Sequence, residues 1–432
     1  MVRNRLDSAA SNTLASCTET IIDCEHKTAP TQDEGYPSIR TPNIGRGRLI
    51  LNGVNRVSEE IYREWTRRAI PRAEDLIFAR EAPIGNVAII PREVKVCLGQ
   101  RTVLIRPDKK KVDPHHLLYL LLGDDIQARI QAMATGATVG HLNVRDIREL
   151  QLPELPPLTV QRKIGAVLSV YDDLIESNTR RIKILEELAQ AIYREWFVHF
   201  RFPGRRKVKL VNCSIGHIPE GWGVATLADV LSELESGARP KGGIDPDERG
   251  VPSIGAENVI RLGRYGFSKE KWVSRRFYDS MRRGRIRSGD VLLYKDGAQI
   301  GRKSMFRDGF PHNECCVNEH VFILRTNQKV SQAYLYFWLD EPEMTQKIRN
   351  LNVNAAQPGI NQSGVNSLPI LVPPKRLINA FDESVEAILA LLFNLSKKNP
   401  VLQRTRDLLL PRLISGELDV SELDINVGDV AA

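Results

Sequence analysis

The chain has 432 residues, 42% of them hydrophobic, with 61 Lys and Arg against 53 Asp and Glu and a formal net charge of +8. This length exceeds one ordinary hydrophobic core and predicts at least two domains. No apolar run reaches the roughly 18 residues of a bilayer span, the first residues lack the apolar core of a secretory signal, and six cysteines are too few for a disulfide framework. We therefore expect a soluble, cytoplasmic protein with reduced thiols, and the charge hints at an anionic partner.

The chain contains an internal repeat. Residues 36–78 align with residues 251–293 without a gap, and the two stretches share a Pro-Ser-Ile segment, several arginines and one aspartate, Asp75 or Asp290. Further on, VCLGQRTVLIRP parallels CCVNEHVFILRT, and each copy ends at a Pro-Pro pair. Self-similarity at a fixed offset indicates a duplicated structural unit. We interpret Asp75 and Asp290 as turn residues before a strand.

A long helical pattern follows each copy, over residues 155–197 and 372–414. Apolar residues recur there in alternating steps of four and three, as in the heptad seam of a coiled coil. Thr159 is the expected N-cap after the double proline, Asn178 is a polar seam residue of the kind that fixes register, and Pro400 is expected to break or kink the second helix. The predicted seam residues are Ile164, Leu168, Tyr171, Ile175, Asn178, Ile182 and Leu185 in the first helix, and Phe381, Val385, Ile388, Leu392 and Leu395 in the second.

The two seams favour pairing with each other as an antiparallel coiled coil. About 40 residues at 1.5 Å each make a rod of roughly 60 Å, with one domain expected at each end. The alternative is that each helix packs only on its own domain. The repeated domain is predicted to be α+β, because short β-type runs such as DLIFAR and RTVLIRP are joined to a helical hairpin that begins near Asp113. We expect the whole chain to have pseudo-twofold symmetry.

One stretch of the second copy is strongly basic. Residues 261–287 hold ten Lys and Arg against two acidic residues, with aromatic residues such as Tyr265 and Trp272 between them. Basic heads beside aromatic rings suit contact with nucleic-acid phosphates. A solvated charged face above buried rings is the alternative interpretation.

The sequence offers no coherent catalytic motif. It lacks the Asn/Asp-Pro-Pro-aromatic motif of methyltransferases and the G-x-x-x-x-G-K-[ST] motif of nucleotide-driven motors. Asp75 with Glu93 and Lys95 loosely fits a metal nuclease, but the second copy has no such pair after Asp290. Cys17, Cys24 and His26 have a spacing unlike common zinc sites, so we expect no metal site there.

The segment LPPLTVQRKIGAVLSVYDDLIESNTRRIKILEELAQAIYREWFVHF resembles the central spacer helix of the specificity subunits of type I restriction–modification systems. LPRLISGEL is similar to the distal counterpart of that helix, and GWGVATLADVLSELESGARPKGG resembles the opening of the second target recognition domain. The resemblance covers nearly the whole chain. It implies a non-catalytic subunit whose two target recognition domains bind the two halves of a split, asymmetric site in double-stranded DNA.

The resemblance also implies partners and cofactors. The paired helices would dock two methyltransferase (modification) subunits, and restriction/translocase subunits would join that core. S-adenosylmethionine, ATP and Mg²⁺ would belong to those partners, and none to this chain.

The same resemblance implies a division of the chain. Residues 1–157 would form the first target recognition domain, with residues 1–30 as a flexible arm, and residues 158–200 the central spacer helix. Residues 201–372 would form the second recognition domain, residues 373–418 the distal helix and residues 419–432 a tail.

Candidate DNA contacts follow from comparing the two copies. Arginines common to both are assigned to the phosphates, which every half-site shares, with intradomain salt bridges as the alternative. Polar residues that differ between copies are candidates for base contacts, because Arg suits guanine, Asn and Gln suit adenine, and Asp and Glu suit cytosine. The phosphate candidates are Arg46, Arg67, Arg68, Arg72, Arg261, Arg282, Arg283 and Arg287. The base candidates are Arg80, Glu81, Thr138, His141, Asn143, Lys295, Asp296, Gln299, Gln357, Asn361 and Gln362.

Two other functions stay open. A non-catalytic scaffold would bind only proteins through the heptad seams, and its DNA binding would lack a steep dependence on salt. A Mg²⁺-dependent nuclease would need Glu93.

Overall fold

The computed structural model describes residues 12–134, 140–204, 209–244, 249–352 and 359–427 and contains both helices and strands. The chain divides into two compact units. The first comprises residues 1–175 and 402–432, and the second comprises residues 176–401. Each unit therefore contains one mixed domain and part of two long helices.

The first unit is built around a five-stranded sheet with strand order β1-β8-β5-β6-β3 and a three-stranded sheet with order β4-β2-β7. Its strands are β1 (Thr18–Asp23), β2 (Tyr36–Ile39), β3 (Gly47–Arg48), β4 (Arg56–Val57), β5 (Leu76–Ala79), β6 (Val87–Ile89), β7 (Cys97–Leu98) and β8 (Thr102–Pro107). Its short helices are α1 (Glu59–Trp65), α2 (Pro114–Leu122), α3 (Asp124–Met133) and α4 (Val144–Arg148), with 3-10 turns at Leu14–Cys17 and Thr41–Asn43. The first long helix, α5 (Leu158–Phe197), follows.

The second unit has a four-stranded sheet with order β12-β20-β17-β18 and a three-stranded sheet with order β16-β13-β19. Three further strand pairs are β9 with β10, β11 with β21, and β14 with β15. The strands are β9 (Leu210–Cys213), β10 (Gly216–Pro219), β11 (Gly223–Thr226), β12 (Leu231–Ser236), β13 (Val251–Ile254), β14 (Val259–Arg261), β15 (Arg264–Tyr265), β16 (Lys271–Val273), β17 (Asp290–Tyr294), β18 (Lys303–Phe306), β19 (Cys316–Val317), β20 (Val321–Thr326) and β21 (Pro369–Val372). The helices are α6 (Leu227–Val230), α7 (Arg275–Ser280), α8 (Gln332–Asp340), α9 (Pro342–Asn350), α10 (Gln362–Asn366) and the second long helix α11 (Lys375–Ile414), with 3-10 turns at Phe267–Lys269 and Gly297–Gln299.

The two units repeat the same strand pairing. In the first, β5 lies antiparallel between β6 and β8, and β1 pairs with β8. In the second, β17 lies between β18 and β20, and β12 pairs with β20. Continuous apolar runs form the central strands because both of their faces are covered, so that Ile77 and Phe78, like Leu292 and Leu293, are fully buried.

The ungapped repeat alignment is wrong in detail. The offset between the copies is 215 residues at Ser38 and Ser253, which pair with Cys97 and Cys316, respectively. The offset is 216 residues at the neighbouring strands β4 and β16. Tyr36 pairs with Val57 of β4, and Val251 pairs with Val273 of β16, so Val57 and Val273 are equivalent. The offset returns to 215 at Asp75 and Asp290. Two one-residue changes therefore cancel between these points, and Gly47, with φ of 102°, matches Gly263, with φ of 65°.

The N-terminal arm also differs from the prediction. Residues 12–30 are not a flexible arm, because β1 forms an edge of the main sheet and the backbone N–H of Leu14 donates to the carbonyl of Leu150 at 2.9 Å. The segment TETIID predicts this strand only weakly, because its apolar and polar residues do not alternate regularly and it has few apolar residues.

Both long helices contain 40 residues and keep one offset at both ends. Each begins directly after its Pro-Pro pair: the N–H groups of Val160 and Gln161 donate to the Pro157 carbonyl, as those of Leu377 and Ile378 do to Pro374. The N-cap prediction for Thr159 is therefore wrong by two residues. The expected break at Pro400 is also wrong, because α11 continues to Ile414. A proline removes only one backbone hydrogen bond, and the buried apolar residues before it, such as Leu392 and Leu395, hold the helix against the core.

Inside each unit the segments of the two helices contact each other. In the second unit, the Asn178 amide donates to the Asn399 side-chain oxygen at 3.0 Å, and Tyr193 lies edge-to-face with Phe381 at 6.0 Å. A later residue of α5 therefore contacts an earlier residue of α11, so the two segments run antiparallel. In the first unit, Asp172 accepts hydrogen bonds from Arg406 and from the Tyr119 hydroxyl. All twelve predicted seam residues are buried or half-buried.

A buried aspartate–arginine pair recurs in both units. Both carboxylate oxygens of Asp75 accept from Arg106, at 2.9 and 2.7 Å, and those of Asp290 accept from Arg325, at 2.7 and 2.6 Å. Each aspartate also accepts the backbone N–H of the residue three positions earlier, Arg72 or Arg287. The predicted turn role of the two aspartates is therefore confirmed, and each pair ties the start of β5 or β17 to the end of β8 or β20.

We predict that Asp75→Asn destabilises the protein more than Asp290→Asn. Arg106 has no other carboxylate partner among the described residues, whereas Arg325 also contacts Glu233 and Glu235. Leaving a buried charge unpaired costs about 3–5 kcal/mol. Urea unfolding of the full chain measures both losses, and equal losses would contradict the difference in partners.

We also predict that Arg406→Ala destabilises the protein by about 3 kcal/mol, because it leaves the buried Asp172 carboxylate without its cation. By the helix offset, the matching positions in the second unit hold Leu389 and Ala189, an apolar pair. The double variant Asp172→Leu/Arg406→Ala should therefore recover part of the lost stability, although the Tyr119 hydroxyl loses an acceptor. Thermal unfolding compares the two, and a double variant less stable than the single one would refute this account.

Candidate nucleic-acid interface

The loops that hold the base candidates lie together in each unit. In the first unit, the N–H of Leu142 donates to the carbonyl of Arg80 at 3.2 Å, which joins the loop after β5 to the loop before α4. In the second, the N–H of Ile360 donates to the carbonyl of Lys295 at 2.9 Å and joins the equivalent loops after β17 and before α10. Each unit thus has polar loops at the C-terminal end of its central strand, β5 or β17.

Arg80 cannot read a base. Its side chain is only 7% exposed, and it donates to the Leu142 carbonyl at 2.8 Å and to both Asp23 carboxylate oxygens at 2.9 and 3.1 Å. Its remaining terminal nitrogen lies 2.9 Å from Nε2 of His141. The base-contact prediction for Arg80 is therefore wrong, because its donors are used inside the domain.

His141 links Arg80 to Glu81. Because a guanidinium only donates, Nε2 of His141 accepts from Arg80, and Nδ1 therefore carries the hydrogen that is donated to Glu81 Oε1 at 2.7 Å. The second oxygen of Glu81 lies 3.0 Å from Nε of Arg101. We name this set, Asp23, Arg80, His141, Glu81 and Arg101, the first polar cluster.

A second polar cluster, of Asp296, His320, Glu319 and Arg239, lies in the second unit. Nδ1 of His320 is 2.7 Å from Asp296 Oδ2, and its Nε2 is 3.3 Å from Glu319 Oε1. Nε of Arg239 contacts the same Glu319 oxygen at 2.7 Å. Beside the cluster, the Lys295 ammonium lies 4.9 Å from the centre of the Phe322 ring, and Gln299 is exposed.

Sequence reasoning missed Arg101, Arg239, Glu319 and His320. The signal for three of these positions was present, because the parallel of VCLGQRTVLIRP with CCVNEHVFILRT sets Gln100 and Arg101 against Glu319 and His320. These residues lie just before β8 and β20, are polar and differ between the copies, which is the criterion that selected the other base candidates.

Two asparagine candidates have a structural role. Asn143 caps α4, and Asn361 caps α10 by accepting the N–H of Gly364 at 2.8 Å. Gln362 donates to the Leu234 carbonyl at 2.9 Å. Thr138 and Gln357 lie outside the described residues.

The phosphate candidates fall into two groups. Arg67, Arg72, Arg282 and Arg283 are exposed, and their side chains have no ion pair among the described residues. Arg68 and Arg287 are exposed too, but they contact Glu25 at 3.3 Å and Glu233 at 3.0 Å. In the second unit, a cavity of about 470 Å³ is lined by Arg282, Arg283, Arg285 and Arg287 together with Glu233 and Glu235.

Arg46 and Arg261 have internal partners instead. Arg46 donates to the Leu122 carbonyl at 2.9 Å. Arg261 donates to the buried Glu186 of α5 at 2.5 Å and lies 3.6 Å from Asp340. Burial raises the pKa of the Glu186 carboxyl, and Arg261 opposes that shift. The two arginines are also not equivalent in the corrected alignment, and their internal partners argue against contact with phosphates.

The geometry argues against the nuclease and the metal site. Asp75 is 4% exposed, and its two oxygens are held by Arg106. In the N-terminal region, Asp23, Cys24 and His26 lie close together, but the Arg80 guanidinium already occupies the Asp23 carboxylate. Cys17 is not part of this group, and burial raises the pKa of its thiol to about 11, so it stays protonated and a poor ligand.

Among the described residues, no helix combines the length and the apolar character that crossing a bilayer requires.

Comparison with known proteins reveals related chains. A family model described as the type I restriction modification DNA specificity domain matches residues 21–187. The chain is 26% identical over 385 residues to the type I restriction enzyme MjaIX specificity subunit of Methanocaldococcus jannaschii, which covers 87% of this chain and 84% of that protein. It is 24% identical over 373 residues to the HindI specificity subunit of Haemophilus influenzae, with 74% and 81% covered.

The fold is shared with a solved structure. The S subunit of a type I restriction–modification system from M. genitalium aligns over 96% of this chain and 98% of that chain, with a TM-score of 0.58 at 16% identity. The predicted resemblance to the specificity subunits of type I restriction–modification systems is confirmed by these likenesses.

Proposed function

We propose that the chain is the non-catalytic subunit that recognises DNA for a type I restriction–modification complex in the cytoplasm, and that it reads a split, asymmetric duplex site. One observation carries this proposal: the two units share their strand pairing, yet differ in the polar residues at the same strand ends. Glu81 and Asp296 are equivalent there, as are Arg101 and His320.

A shared fold with different reading residues predicts two different half-sites. Identical units on a symmetric dimer read identical half-sites. Here the equivalent positions carry different donors and acceptors, which match different base edges in the major groove. The exposed arginines Arg67, Arg72, Arg282 and Arg283, which have no ion pair among the described residues, supply phosphate contacts that position each unit without reading sequence.

The long helices are proposed to set the length of the unread centre. Their antiparallel contacts within each unit, Asn178 with Asn399 and Asp172 with Arg406, support one continuous antiparallel coiled coil of α5 and α11. We propose that residues 1–157 and 201–372 form two target recognition domains and that the two long helices are the spacers between them.

The partners are proposed from the relatives, which are named specificity subunits of type I restriction enzymes. Two methyltransferase subunits and restriction/translocase subunits would bring S-adenosylmethionine, ATP and Mg²⁺. A protein-binding scaffold is the competing function, and binding to duplex DNA separates the two.

We predict that Arg282→Ala/Arg283→Ala weakens binding of the full chain to random-sequence duplex DNA and makes its salt dependence less steep. Each lost phosphate contact lowers the slope of log K against log salt by about 0.9. Arg180→Ala is the matched control, since Arg180 is an exposed arginine of α5 that pairs with Glu176. A slope unchanged by the double variant would count against phosphate contact, and a flat slope for the unaltered chain would favour the scaffold.

A second prediction concerns the spacer. Inserting seven residues after Arg180 in α5 and seven after Ser396 in α11 should lengthen the unread centre by about three base pairs, since seven residues rise about 10.5 Å. Both half-sites should stay the same, because neither domain changes. Footprinting on selected duplexes measures the centre, and insertions of three residues serve as a control that disrupts the heptad seam. An unchanged centre after the seven-residue insertions would refute the spacer role.

A further inference from the structure

Both units expose an arginine that is held by a glutamate through Nε. In the first polar cluster, the Arg101 side chain is 60% exposed, and its Nε lies 3.0 Å from Glu81 Oε2. In the second, Arg239 is 43% exposed, and its Nε lies 2.7 Å from Glu319 Oε1. The two arginines come from different positions in the repeat, so the arrangement is not a trivial consequence of duplication.

Each glutamate is itself held in place. The other oxygen of Glu81 accepts from His141, whose ring is fixed by the buried Arg80 and, through it, by Asp23. Glu319 faces Nε2 of His320 at 3.3 Å, and the other nitrogen of that ring contacts Asp296. In the first unit this set of contacts starts from the buried Arg80. In the second unit, Asp296, His320 and Glu319 are themselves 34–39% exposed and support Arg239 at the surface.

The backbone also fixes Arg101. Its φ is 66°, in the left-handed region that non-glycine residues rarely adopt, and its carbonyl accepts the N–H of Arg80 at 3.0 Å. Such a backbone costs of order 1 kcal/mol and is found where the surrounding structure holds it, most often at functional sites.

The geometry favours a base over a phosphate as the target. Nε is the guanidinium nitrogen nearest to each glutamate, and no hydrogen bond of the two terminal nitrogens is seen among the described residues. Two parallel donors match the O6 and N7 acceptors of guanine. A carboxylate beside the guanidinium repels a phosphate, whereas the guanine edge carries no net charge.

We propose that Arg101 reads a guanine in the half-site bound by the first unit and that Arg239 reads a guanine in the other half-site. Glu81, His141 and Glu319 are positioning residues that orient the two guanidinium groups. This inference rests on the proposed function and names the base chemistry of the same sites.

The test is selection of binding sites from a randomised duplex library by the full chain. Arg101→Ala should reduce the preference for guanine at one position of one half-site by roughly 10- to 100-fold, the range of a lost bidentate contact, and leave the other half-site unchanged. Arg239→Ala should do the reverse. The unaffected half-site is an internal control for folding in each variant.

The positioning role of His141 is tested by measuring the guanine preference of two variants. His141→Gln keeps an acceptor for Arg80 and a donor for Glu81, so it should retain the guanine preference, whereas His141→Ala should weaken it at the same position as Arg101→Ala. A two-part motif whose guanine positions do not respond to Arg101→Ala or Arg239→Ala would overturn this inference alone. No selected motif at all for the unaltered chain would overturn the proposed function and this inference with it.

Discussion

The buried pairs Asp75–Arg106 and Asp290–Arg325 fix the strand register on which the rest of each unit depends. Each pair joins the start of one central strand to the end of its antiparallel neighbour. A slip of one residue would turn every side chain of the strand to the opposite face and would separate the buried charges. With the register fixed, the far ends of the same strands must meet, and there Glu81 contacts Arg101 and Asp296 contacts His320.

This arrangement separates the residues that stabilise each sheet from the polar clusters that are proposed to contact DNA. The ion pair, the apolar strands and the loop-to-loop hydrogen bonds are common to both units, and the polar clusters at the other strand ends are not. Residues that differ between the units can therefore vary without disturbing the core, as the proposed reading of different bases requires. The long helices also differ between the units: one unit has the Asp172–Arg406 ion pair, and the matching positions of the other hold the buried residues Leu389 and Ala189.

Much of the fold could be predicted because its signals are local. The Pro-Pro pairs and the heptad spacing gave the position and length of α5 and α11 to within a few residues. What failed depends on distant partners. Arg80 has the composition of a base-reading residue, and only Asp23, 57 positions away, and the Leu142 carbonyl make it an internal one. Likewise, the one-residue shift of the repeat at Val57 and Val273 is visible only in the strand pairing.

The sequence predicted which loops form the candidate site better than it predicted which of their residues are available for contact. The loops after β5 and β17 and before α4 and α10 do come together, but Asn143 and Asn361 serve there as helix caps. Arg101 meets the criterion of a polar difference between the copies, but its ion pair with Glu81 on another loop and its left-handed backbone are visible only in the structure.

Sequencing the modified bases in the genome of cells that contain this chain and the methyltransferase subunits proposed as its partners tests the central claim most directly. The proposed reading ends, related but different and joined by the proposed spacer helices, predict one motif with two unlike halves and a constant number of unspecified bases between them. A continuous motif, or two identical halves in inverted order, would contradict the account.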